Sequence, residues 1–218
     1  MEKKESPKIE SSSPLKIAGF SSRIFSIIKF ILGVCLLSFV YSYSAALIDE
    51  LSLVDKSLQT DFWAGVVTLL IVYLFIWEPA LIYTKGQKLV EIVFSFFRPL
   101  VRVAPYLIPI YTLVLFFLYG IVYFIVKSES LTHYFVFLIG FSISLHLIFS
   151  AKSIRSKQGD FLKANYIFGF SLIYILNLIL LAFGFNLIFK DFSFVNFFNS
   201  SYQFAKAIYY AVFKQLFL

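Results

Sequence analysis

Only one cysteine, Cys35, occurs in the chain, so an intramolecular disulfide, a zinc ribbon and CxxC redox chemistry are all excluded. Charge is scarce as well: Asp, Glu, Lys and Arg make up 14% of the residues, against about 25% in soluble domains. There is no Walker A motif, no GxGxxG fingerprint, no internal repeat and no N-terminal lipidation signal, which removes nucleotide-driven enzymes from consideration. The net charge of +7 does not point to nucleic acid. The basic residues sit at the ends of apolar runs, where they set orientation in a membrane, and form no face with readable polar contacts.

What fills the chain is apolar. Hydrophobic residues reach 60% of the 218 and aromatics 21%, more apolar surface than a water-soluble core could hide. The runs Ile24–Ala46, Phe62–Tyr83, Val103–Val126 and Ala164–Phe189 each suffice to cross about 30 Å of hydrocarbon as a helix, and the shorter run His133–Ala151 reads as a further span. None shows the strict alternation of barrel strands, and in lipid only helices or closed barrels satisfy every backbone group. The expected fold class is therefore all-α: a polytopic transmembrane helical bundle of about five spans. A short polar helix is expected between the second and third, and an interfacial amphipathic helix at the C-terminus.

Residues 1–22, rich in Ser and Lys, are expected to form a disordered cytoplasmic tail, 23–190 the transmembrane domain, and 191–218 the amphipathic segment. In that last segment Gln203, Lys206, Tyr210 and Lys214 recur at steps of three and four among apolar residues, a narrow polar stripe on a helix. The small residues of Ser42–Ala46 are of the kind a signal peptidase accepts. The apolar run before them exceeds the roughly 7–15 residues of a signal h-region, so an uncleaved span is expected. Lys85, Lys88, Arg98 and Arg102 in the second loop, and Lys152, Arg155, Lys157 and Lys163 in the fourth, face a first loop with Asp49, Glu50, Asp55 and Asp61. Counting basic residues over these loops predicts a cytoplasmic N-terminus and a C-terminus on the opposite side. Tyr41, Tyr43, Trp63, Trp77 and Tyr83 lie near span ends, where interfacial anchors belong.

Polar groups within or beside the spans are few, and charge near the bilayer centre is costly enough to mark function. They are Glu78, Lys88, Glu91 and His146, with Asn177 and Asn186 in the last span. By the expected topology Gln87, Glu91, His146 and Asp160 share the cytoplasmic side. Lys88 and Glu91, three residues apart, are expected to pair on a helix surface beside His146, and His146 to bond a backbone carbonyl or to sit at headgroup depth. Pro105 and Pro109, one turn apart, are expected to kink the third span and open a pocket near Lys88 and Glu91.

The order Tyr83–Phe94, then Ala104–Tyr111 (APYLIPIY), Gly140–His146 (GFSISLH) and Lys157–Asp160 (KQGD) resembles a group of bacterial membrane proteins in the site-2-protease-like zinc metallopeptidase family. That resemblance covers roughly residues 60–190. It implies an intramembrane zinc site made from a GHExxH helix, a span ending in His and a QxD loop, in a bacterial cytoplasmic membrane. At the HExxH positions this chain carries Gln87, Lys88 and Glu91. An HExxH helix presents two imidazoles to one zinc while its Glu takes a proton from the metal-bound water. A neutral amide is a poor zinc ligand, and an ammonium has no lone pair with which to take that proton. Glu91, His146 and Asp160 remain as metal-ligand candidates, but no base is left beside them.

The expected function is therefore that of a proteolytically inactive relative, a pseudoenzyme whose inherited cleft binds another membrane protein, with the lipid bilayer as its surroundings, no nucleic acid and no cofactor. Two alternatives stay open. One is a transporter or permease subunit with a polar path near Lys88, Glu91 and His146, although no inverted repeat is evident. The other is an active metallopeptidase that binds zinc through altered ligands.

Overall fold

The computed structural model describes residues 14–97, 103–126, 128–156 and 166–217, and among them the elements are helices joined by short turns. Helix α1 (Pro14–Leu51) outruns the apolar stretch that predicted it at both ends. Residues 14–22, expected in the disordered tail, are wound into it, and the rest of that tail lies outside the described residues. At the other end Ala46, Leu47 and Leu51 face inward and are buried. The Ser42–Ala46 segment is wound into the C-terminal turns of a packed helix, with both Ser42 and Ala46 fully buried. After a tight turn, Asp55 caps α2 (Lys56–Ile71) by accepting the Ser57 N–H at 2.7 Å.

Helix α2 continues into one wide π turn, Val72–Ile76, closed by the Trp77 N–H on the Val72 carbonyl at 2.8 Å. The expected second span stops there, short of Tyr83. Pro79 has no N–H to extend the ladder and holds Glu78 out of the helical region. The polar stretch forms its own helix, α3 (Ala80–Val93). The expected third span is also broken: a single turn, α4 (Ala104–Leu107), is separated at Ile108 and Pro109 from α5 (Ile110–Val126). At 17 residues α5 is about 25 Å long. Helices α6 (Glu129–Ser156), α7 (Tyr166–Ile188) and α8 (Phe194–Phe217) complete the described chain.

Four described helices are long and apolar enough to cross a membrane, Ile27–Leu51, Lys56–Ile76, Ser130–Arg155 and Tyr166–Ile188, and Ile110–Val126 is a shorter apolar one. The protein is an all-α bundle of the membrane type. Helices α2 and α6 run parallel, joined at one end by Asp61 and His133 at 2.5 Å and at the other by Glu78 and Lys152. Between those clamps their backbones touch. A Cβ on Gly65 would fall on the Phe137 carbonyl oxygen, and one on Gly140 on that of Phe62. Such close approach is available only to glycine, and small residues at helix contacts are the usual way membrane helices gain dispersion energy. Helix α5 lies antiparallel to α6, bridged by Thr112 to Ser142 at 2.9 Å and Tyr119 to Thr132 at 3.2 Å.

Helix α1 runs parallel to α7, with the Ser44 and Tyr174 hydroxyls 3.0 Å apart, and the buried Glu50 carboxylate accepts the Ser193 N–H beyond the end of α7 at 3.1 Å. A phenylalanine cluster centred on Phe185, edge-on to Phe62 and Phe116, fills the interior. Helix α8 is amphipathic, as its sequence predicts, but it packs lengthwise on α1 instead of lying apart as an interfacial helix, because its phenylalanines seat against Tyr43. It turns back along α1, antiparallel to it, from Phe197 against Tyr43 to Tyr209, whose hydroxyl donates to the Cys35 carbonyl at 2.7 Å. Asp55, Asp61 and Asp191 therefore gather at one end of the bundle, and Lys85, Lys88, Lys152 and Arg155 at the other.

Candidate functional site

The break between α4 and α5 creates the site. In a continuous helix the Tyr106 carbonyl would accept from the N–H of Ile110, and the Leu107 carbonyl from that of Tyr111. Instead the Ile110 N–H bonds the Ile108 carbonyl at 2.9 Å, and Pro109 has none to give. Two carbonyls are left facing the bundle interior, where an unpaired polar group costs several kcal/mol at roughly this depth. Side chains from two other helices supply the partners. His146 and Ser150 on α6 reach the Tyr106 carbonyl at 3.1 and 3.3 Å, and Asn177 on α7 donates to the Leu107 carbonyl at 3.2 Å.

Helix α3 closes the arrangement from the other side. Gly86 lets the Tyr111 ring lie against its backbone, since a Cβ there would stand 2.7 Å from the ring, and the Tyr111 hydroxyl donates to the Ile82 carbonyl at 2.7 Å. With α3 held in this way, Tyr83 and Gln87, one turn apart, both face inward. The Gln87 amide donates to the Tyr83 oxygen at 3.0 Å, and the Tyr83 hydroxyl lies 3.1 Å from Ser150 Oγ. Burial holds the Tyr83 phenol above its ordinary value, so it takes part as an O–H.

The proton directions follow from the acceptors. Gln87 donates to Tyr83, Tyr83 to Ser150, and Ser150 to the Tyr106 carbonyl, which also receives the His146 Nε2–H on its second lone pair. His146 is 6% exposed and its ring lies against Tyr83, centroids 6.0 Å apart. The cavity they enclose, lined by Gly86, Gln87, Pro105, Pro109 and His146 among others, has a volume of about 10 Å³. That is the lower limit for a single water.

The sequence-predicted residues divide across this geometry. Gln87 and His146 meet through Tyr83 and Ser150, and His146 bonds a backbone carbonyl as expected. Lys88 and Glu91 lie on the exposed face of α3, and among the described residues no ion pair joins them. The proline break opens its cavity beside Gln87, not beside Lys88 and Glu91, because those two point away from α5. Tyr83 is no interfacial anchor: it is 5% exposed and stacked on Phe149. Asp160, and the KQGD segment that holds it, lie outside the described residues.

Sequence reasoning missed Ser150 and the Tyr106 carbonyl. A serine in an apolar helix carries no pattern signal, and a carbonyl becomes a partner only once the Pro109 break is known to free it.

Of the three metal-ligand candidates, Glu91 lies on the exposed face of α3, apart from the buried His146, and Asp160 is outside the described residues. Among the described residues no three His, Cys, Asp or Glu side chains cluster, and the Nε2 of His146 is spent as a donor to Tyr106. Comparison with family models, curated proteins and solved structures gives no match.

Proposed function

We propose that the chain is a noncatalytic membrane scaffold on a site-2-protease-like plan, seated in a bacterial cytoplasmic membrane with its lysine-rich end inward, and that it binds another membrane protein. The observation that carries this reading is the hydrogen-bonded chain Gln87, Tyr83, Ser150, Tyr106 carbonyl and His146. It joins the degenerate zinc helix, the APY turn and the His of a later span, the elements that the family resemblance would bring together. It does so with amide, phenol and hydroxyl groups in the place of metal and ligands. A structural bond network there rigidifies the contact between α3, α4 and α6.

The partner is assigned to the outer face of α3, where Lys88, Leu89, Glu91 and Ile92 are exposed side by side. Charged groups at the membrane edge offer a partner helix specific pairing, while the apolar ones give contact area. The permease alternative draws less support, because the cavity beside His146 holds about 10 Å³ and its carbonyls are already bonded to protein donors. Photo-crosslinking tests the reading. A benzophenone amino acid at Lys88 or Ile92 is expected to give a discrete adduct with a membrane protein in cells, whereas the same probe at Phe124, on the far end of α5, is not. Equal labelling from all three positions would overturn it.

A further inference from the structure

At the opposite end of the bundle, some 20 Å along α6 from His146, lies a second cavity of about 490 Å³. That size falls within the roughly 300–1,000 Å³ usual for small-molecule sites. It is walled by the α1–α2 turn, the C-terminal turns of α5, the start of α6 and the turn after α7. Its charged lining consists of Asp55, His133, Lys190 and Asp191.

These charges are not spent on one another. His133 is held by Asp61 outside the lining, at 2.5 Å, and one oxygen of Asp55 is spent on capping α2. Among the described residues no hydrogen bond or ion pair occupies the second Asp55 oxygen, the Asp191 carboxylate or the Lys190 ammonium, although all three line the same cavity. The cavity therefore offers free carboxylate oxygens and a free ammonium at once. Tyr123, stacked on Tyr119 with centroids 5.5 Å apart, and Ile188 line the same cavity and supply apolar wall.

The Ser57, His133 and Asp61 trio is not a hydrolytic triad. Both Ser57 Oγ, at 3.4 Å, and the Asp61 carboxylate approach the same ring nitrogen, Nδ1, whereas a triad needs the hydroxyl on the nitrogen opposite the acid. His133 is a wall held in place by Asp61, so the chemistry of the cavity is recognition.

We propose that this cavity binds a small zwitterion: an ammonium taken by Asp55 and Asp191, and a carboxylate or phosphate taken by Lys190, on a short body that rests against Tyr123 and Ile188. Both a free amino acid and the ethanolamine phosphate headgroup of a lipid carry that chemistry. The site is independent of the scaffold reading of the α3 end, and either can fail alone.

Calorimetric titration of the full chain in non-ionic maltoside micelles tests it, with L-phenylalanine and O-phosphoethanolamine as zwitterionic probes and ethanolamine and 3-phenylpropionate as single-charge controls. Saturable binding of at least one zwitterion is expected. It should weaken about tenfold in Asp191→Asn and in Lys190→Gln, two exposed positions whose substitution leaves the helices intact. Competition by phosphatidylethanolamine against O-phosphoethanolamine would identify the lipid headgroup as the ligand, and preference for phenylalanine without lipid competition a free solute. No binding of either zwitterion, equal binding of a single-charge control, or binding unchanged in both variants would overturn the proposal.

Discussion

The residue that ties the α3 end together is Tyr83, because its hydroxyl both accepts from Gln87 and donates to Ser150. Tyr83→Phe keeps the ring on Phe149 and removes only that oxygen. It leaves one buried hydroxyl and one amide short of a partner, and an unfolding titration in micelles should show a loss of about 1–2 kcal/mol. A loss much smaller than this would mean that the network is incidental to the packing. The bond from His146 to a carbonyl was legible in the sequence, since a buried neutral imidazole in an apolar helix has few other outlets. Tyr83 was not legible, because a tyrosine near the end of an apolar run reads as an anchor until Pro79 is seen to end the span before it.

Among elements, the decisive contact is between α2 and α6, where the backbones meet at Gly65 and Gly140. Gly140→Val would drive a branched side chain into the Phe62 carbonyl. The helices must then separate, at a cost of about 2–3 kcal/mol, measurable as a lowered unfolding midpoint. Gly120 on α5 meets nothing within 4 Å, so Gly120→Ala is the control and should leave stability unchanged or raise it by up to about 1 kcal/mol. The long apolar runs are legible as helices because length and composition suffice for that. Their ends are not: Glu78 with Pro79, and Ile108 with Pro109, divide two runs that hydropathy alone joins. The pairing of α2 with α6 was invisible as well, since it depends on two glycines 75 positions apart in the chain.

For the whole molecule, Asp55, Asp61 and Asp191 gather with Lys190 at the end that holds the larger cavity, and Lys85, Lys88, Lys152 and Arg155 with Glu78 and Glu91 at the end that holds α3. The basic loops predict that the acidic end faces away from the cytoplasm. In a Cys35→Ala background, Asp55→Cys should react with a membrane-impermeant maleimide applied to the outer face of sealed spheroplasts, and labelling only from inverted vesicles would reverse the topology.

In the proposed scaffold, hydrogen bonds among protein groups stand where a metalloprotease would hold zinc. Metal analysis of the purified full chain, with and without His146→Ala, tests it most directly. Far less than one zinc per chain is expected in both proteins; a content of about one zinc per chain that is lost in His146→Ala would overturn the scaffold reading.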